Sequence, residues 1–171
     1  MCVPDIKFNF NKLKANETIL YLSNKDKAIS KMRLLKFLFF ADLYHLKKYG
    51  RPIVGDNYVA MVKGPVLSKV YDMIKHSSKD YTVEDKTIIP KREANLYEFS
   101  KSDIEALDYA YNQYSQYTTE KLSDLTHEEK CWIEAIKREP GSKNAKILWE
   151  DMIDDPELLE DLREYSGIMR I

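Results

Sequence analysis

Ser30-Lys-Met-Arg-Leu-Leu-Lys-Phe-Leu-Phe-Phe-Ala-Asp-Leu-Tyr-His-Leu-Lys-Lys-Tyr-Gly50 is the stretch on which the fold turns. Ser30 is a favoured N-cap. Gly50, followed by Pro52, supplies the stop chemistry, because glycine takes the left-handed conformation that closes a helix and proline cannot continue one. Lys47 and Lys48 fall in the last turn, where they oppose the negative end of the helix dipole. Nothing between Ser30 and Gly50 breaks the pattern, so the spacing predicts one long central helix.

At about 100° per residue this helix separates into two surfaces. Leu35, Leu38, His45, Leu46 and Tyr49 lie within about 60° of Asp42, so an acid and a histidine sit inside an apolar face. Asp42 and His45 are i, i+3 neighbours, and a buried charge there needs a partner. They read either as an acid–base dyad or as a polar clasp that ties the helix to its surroundings. The opposite surface carries Arg33, Lys36, Lys47 and Lys48 interleaved with Phe37, Phe40 and Tyr44. Either another element covers these rings while the basic heads reach water, or Arg33, Phe37, Phe40, Tyr44 and Lys47 bind a partner.

Working outward, an amphipathic helix is predicted over about Phe10 to Ser23, with Leu13, Ile19, Leu20 and Leu22 as its apolar members. Beyond Gly50, Tyr58 to Val62 reads as a short strand or a helical turn. Lys63-Gly64-Pro65 forces a tight bend, one that also presents Lys63 to a ligand in the functional reading. Val66, Val70, Met73 and Ile74 recur at helical spacing up to about His76. Thr87 to Ile89 and Leu96 to Phe99 read as a hairpin. Ser102 with Glu105, and Thr126 with Glu129, have capping-box spacing and open helices running to about Thr119 and Ile136. Ala145, Leu148, Trp149 and Met152 give a further amphipathic turn series, and Asp155-Pro156 starts a last short helix. The expected fold is α+β and mainly α-helical, with a small antiparallel β element in the middle of one domain. Its core spans about residues 13 to 136, and an acidic helical segment follows over about 143 to 171.

The chain has 171 residues and a formal net charge of −1. That balance hides a polarity. Residues 1–79 hold 15 basic and 6 acidic side chains (+9), and residues 80–171 hold 12 and 22 (−10). Surface fields of this kind govern which partners a protein attracts rather than how it folds. Two cysteines, Cys2 and Cys131, cannot build a disulfide framework or a four-cysteine zinc site, which suits a reducing, cytoplasmic setting. The longest apolar run, Phe37 to Ala41, is too short to span a bilayer, and no signal-peptide layout is visible, so no membrane contact is expected.

Phosphate-loop, dinucleotide-fold, zinc-protease and serine-hydrolase motifs are missing, and His45, His76 and His127 are too dispersed to suggest a metal site. No catalytic residue, metal or cofactor is expected. Cys131, four residues after His127, reads as core beside Trp132 rather than as a thiol nucleophile.

Lys36-Phe-Leu-Phe-Phe-Ala-Asp42, then His45-Leu-Lys-Lys-Tyr-Gly50, then Val59-Ala-Met-Val-Lys-Gly-Pro-Val66 with Tyr71, together resemble the Panacea, or SocA-like antitoxin, domain; His127 and Trp132 resemble its C-terminal part. The family-motif positions are Lys36, Asp42, His45, Gly64, Pro65, Tyr71 and Trp132. The resemblance implies an antitoxin, often phage- or prophage-encoded, that neutralises a cognate toxin by direct protein–protein binding, with a protease as a further partner in one adaptor-like branch. It implies no catalytic residues. Two other functions stay open. One is a winged-helix-like DNA-binding regulator, suggested by helices followed by a hairpin in a +9 half; the other is an enzyme using Asp42 and His45 with Lys36 or Lys63 on an anionic substrate. The acidic run Glu150 to Glu164, eight acids and one Arg, is either a solvated helix face or a second partner surface.

Overall fold

The computed structural model describes residues 5–168. The fold is α+β and mainly helical, with two small antiparallel sheets. Helix α1 (Lys12–Lys25) leads through strand β1 (Ile29–Ser30) into α2 (Lys31–Tyr49). A loop then enters the hairpin β2 (Tyr58–Met61) and β3 (Gly64–Leu67), followed by α3 (Ser68–Met73) and a second hairpin, β4 (Tyr81–Glu84) with β5 (Thr87–Pro90). Three helices follow, α4 (Lys101–Tyr114), α5 (Thr119–His127) and α6 (Lys130–Arg138), then β6 (Ala145–Lys146) and α7 (Pro156–Ile168). One sheet has the order β1-β5-β4; in the other, β2 lies between β3 and β6.

The central helix has the ends its sequence dictates. The Ser30 hydroxyl accepts from Arg33 N–H at 3.2 Å. Gly50 adopts φ 77° and donates to Leu46 O. Every residue from Leu34 to Leu43 is buried, and Phe37, Leu38 and Phe39 are fully so. The helix therefore runs through the core, with α4, α5 and β3 packed around it. Trp149 closes one end of that core, meeting Phe8 and Tyr58 edge-on.

Several expected elements differ. The second hairpin pairs Tyr81–Glu84 with Thr87–Pro90, while Leu96–Glu98 is a 3-10 turn. The third helix starts at Ser68, because Val66 and Leu67 pair with Val59 and Tyr58 as strand. Ser100 and Asp103, two residues before the expected pair, form the capping box of α4. Thr118 caps α5, and Thr126 lies inside that helix, donating to Ser123 O, rather than opening the next one. Ala145 and Lys146 are strand paired with Ala60 and Val59, and Trp149–Met152 is 3-10, so the expected amphipathic series is not an α-helix. Leu13, read as apolar core, is 61% exposed.

Asp56 fixes the strand-to-helix passage. Its Oδ2 accepts from Lys69 N–H at 2.7 Å and Val70 N–H at 2.9 Å, and its Oδ1 accepts from Asn57 N–H at 2.8 Å. Asp56 is buried, so water has poor access to replace it. Asp56→Ala should lose about 2–3 kcal/mol of stability, since buried N–H donors left without an acceptor cost about 1–3 kcal/mol. The check is the urea midpoint, with an unchanged m-value showing that cooperativity is retained.

Candidate functional site

The polar side chains of α2 divide into two groups. Asp42 and His45 form the first, both fully buried. Asp42 Oδ1 accepts from Ile53 N–H at 2.8 Å and Oδ2 from the Tyr58 hydroxyl at 2.5 Å, so this carboxyl holds both the loop after Gly50 and strand β2. Burial pushes it up to about 6, against the lowering by these two hydrogen bonds. His45 Nδ1 lies 2.7 Å from Arg51 O and must donate to it, which leaves Nε2 to accept from the Ser102 hydroxyl at 2.9 Å. Burial lowers the imidazole from its ordinary value. Arg51 and Lys14 reach Asp103 at 3.0 and 2.5 Å, tying α1 and the loop after α2 to the start of α4. Burial pushes Asp103 up, but Lys14, the Ser100 N–H and Arg51 together hold it below the usual carboxylate range. Both nitrogens of His45 and both oxygens of Asp42 are thus committed to separate anchors. The geometry is that of the polar clasp.

The second group gathers at the β2–β3 turn. Lys36, placed by helical periodicity on the face whose basic heads reach water, is instead only 1% exposed. Its side chain runs under the turn, and a Cβ on Gly64 would lie 2.7 Å from Lys36 Nζ and 2.4 Å from Thr126 Oγ1. Gly64 also has φ 123°, so its missing side chain and its backbone angle are both required. Pro65 is buried opposite Ala60 in the hairpin, and Lys63 is exposed at the tip. Two side chains from the α5–α6 region hold that tip. Trp132 Nε1 donates to Met61 O at 3.0 Å and His127 Nε2 to Val62 O at 2.9 Å, with the two rings 4.3 Å apart. Burial, with the Lys63 charge adding, pulls the Lys36 ammonium down to about 8. An ammonium desolvated without a partner costs on the order of several kcal/mol.

The remaining motif and surface residues are dispersed. Tyr71 sits half-buried on α3, its ring 4.9 Å from the Lys75 ammonium. The aromatic face of α2 is covered by α4: Phe37 meets Tyr111 edge-on and Phe40 stacks on Tyr114 at 3.9 Å. Arg33 donates to Tyr117 O and Ser115 O beyond the end of α4. What stays open is a groove of about 400 Å³ lined by Tyr44, Lys47, Tyr109, Tyr114 and Glu129. There Tyr44 stacks on Tyr109, and Lys47 pairs with Asp154 at 3.2 Å. Cys131 is buried, and burial pushes its thiol up to about 12, which makes it a core residue. Among the described residues, no group of three or more His, Cys, Asp or Glu is placed to hold a metal ion. Nor is any described helix long and apolar enough to cross a membrane.

In the acidic segment, Glu150 accepts from Ile6 N–H and Asp151 pairs with Arg138, while Glu157, Glu160, Asp161 and Glu164 are exposed. The segment thus has a structural half and a solvated half. Met152, Ile153 and Leu158 belong to the core cluster or pack against it.

Residues 34–133, more than half of the chain, match the antitoxin SocA-like family, Panacea domain, and the chain belongs to that family. No curated protein and no solved structure matches it. The matched span includes all seven motif positions, which the fold distributes between the buried clasp, the β2–β3 turn and α3.

The clasp has opposed pH dependences. The folded His45 value lies below the unfolded value of about 6.5, so the unfolded chain binds the proton first and stability falls as pH drops below about 6.5. Asp42 is raised to about 6, so its contribution is lost as pH rises from about 4 to about 6. His45→Gln should remove the loss on the acid side, and Asp42→Asn the opposing loss. Each slope is at most about 1.4 kcal/mol per pH unit, and urea titrations between pH 4 and 7 read both.

Proposed function

We propose that this chain is an antitoxin that neutralises a partner toxin by binding it directly, acting through contact rather than catalysis. Membership of the SocA-like antitoxin family carries the reading, and the β2–β3 turn supports it. The exposed tip residues Val62 and Lys63 rest on a turn clamped by Trp132 and His127, so a partner meets a preorganised surface and little ordering entropy opposes binding. The burial of both clasp residues in separate anchors weighs against a working acid–base dyad. The cover that α4 lays over Arg33 and Phe37 weighs against a basic DNA-reading face on α2.

The test is growth rescue. Reading frames adjacent to this gene are expressed alone and together with the chain; one that arrests growth alone, is tolerated with the chain and co-purifies with it is the expected toxin. Rescue without co-purification overturns direct binding. Lys63→Glu should weaken rescue and co-purification. The quadruple change Glu157→Gln, Glu160→Gln, Asp161→Asn, Glu164→Gln should leave both intact, because these exposed acids lie on α7, outside the β2–β3 turn.

A further inference from the structure

Lys36 is the buried charge that the fold leaves unmatched. Every other acidic or basic residue in the buried class has a partner: Lys14 has Asp103, Glu17 has Arg92, and Asp42, His45 and Asp56 have hydrogen bonds, while half-buried Arg163 keeps a single buried Nε without one. Lys36, 1% exposed, has neither a carboxylate in ion-pair range nor a hydrogen-bond acceptor, and the charge it feels is that of Lys63. Lys63, the residue before Gly64, stands exposed at the same turn and adds its positive charge, and neither lysine has an ion pair among the described residues. The end of Lys36 lies at the Gly64 backbone, where a Cβ would stand 2.7 Å from Nζ, so only glycine leaves room beside the ammonium. The Trp132 and His127 hydrogen bonds fix the turn that carries Lys63, and Val62 beside it is 77% exposed. Preorganised positive charge beside an exposed apolar residue is what a protein partner carrying an acidic side chain would recognise.

We propose that Lys36 and Lys63, at the β2–β3 turn, form a receptor for one anionic oxygen group, filled in the complex by an acidic side chain of the toxin. The identity of the occupant rests on the toxin-binding reading above; the receptor does not. An ammonium is a point charge without the fork of a guanidinium, and one that is only 1% exposed suits a single carboxylate oxygen better than the spread oxygens of a phosphate. Binding would supply the missing counter-charge to Lys36 at the moment of association, so the strain of carrying it would be relieved only in the complex.

Thermal unfolding of the full chain in sodium acetate, inorganic phosphate and chloride, at one pH and matched ionic strength, tests the receptor together with an NMR titration of the Lys36 Cε. Acetate is expected to raise the Tm of the wild type and to move the Lys36 midpoint upward from about 8. Lys36→Met keeps the apolar stem, and should be at least as stable as the wild type in chloride and indifferent to acetate. Lys63→Glu alters an exposed residue and places a carboxylate beside Lys36; it should raise the midpoint without acetate and blunt the response, which keeps the test decisive if Lys36→Met does not fold. Equal acetate responses in the wild type and both variants overturn the receptor. A response to phosphate without one to acetate overturns the carboxylate occupant. With the toxin in hand, Lys36→Met and Lys63→Glu should each weaken binding by about tenfold or more. Undiminished binding by both overturns the occupant, whereas a wild type that binds no toxin overturns the functional reading and leaves the acetate result standing.

Discussion

A helix of 19 residues whose middle, Leu34 to Leu46, is buried at every position but Tyr44 must take the polar side chains of that stretch into the core with it. In α2 these are Lys36, Asp42 and His45; burying a polar group is costly unless another segment meets it with matching hydrogen bonds, which Asp42 and His45 have and Lys36 lacks. The segments around α2 are placed accordingly. Asp42 sets the loop after Gly50 and the start of the β2–β3 hairpin; His45 and Arg51 set the start of α4. The apolar side chains supply most of the driving force, while the polar ones decide which segment lies where.

The charge polarity has a related meaning. Basic residues of the first half pair with acids of the second: Lys14 with Asp103, Lys25 with Asp108, Lys47 with Asp154, Lys48 with Glu105 and Arg51 with Asp103. The opposite charges of the two halves are therefore met in part within the molecule itself, five of the fifteen basic side chains of the first half reaching four acids of the second. Exposed pairs of this kind contribute little singly, about 1 kcal/mol or less. The pair between Lys14 and buried Asp103 is a different case, because removing one partner strands a charge in the core.

The central helix was legible in the sequence because its ends are local chemistry: one hydroxyl at Ser30 and one glycine at residue 50. Family and mainly helical class were legible for the same reason, since the motif lies in ordered, closely spaced pieces. What escaped depends on distant segments. The β4–β5 hairpin turns at Glu84-Asp85-Lys86 without glycine or asparagine, with Asp85 taking φ 55°. Ser100 with Asp103 and Ser102 with Glu105 fit the same capping pattern, and only packing chooses between them. Strand β6 has two residues and no periodicity to display. Lys36 is the instructive case. A helical wheel sorts residues by direction, but says nothing of what covers each side, and here the hairpin turn and α5 close over a lysine that the wheel turns toward water.

Strand β2, which carries the turn, is flanked by its own hairpin partner on one side and by β6 on the other. The hairpin and its clamp residues, His127 and Trp132, are synthesised before Ala145 and Lys146, so on the ribosome β2 presents an open edge until that later segment emerges. An exposed edge is a template for unintended pairing, and non-local closure is slow. The order of synthesis thus gives this fold a vulnerable interval after the β2–β3 turn has been made and before its sheet is complete.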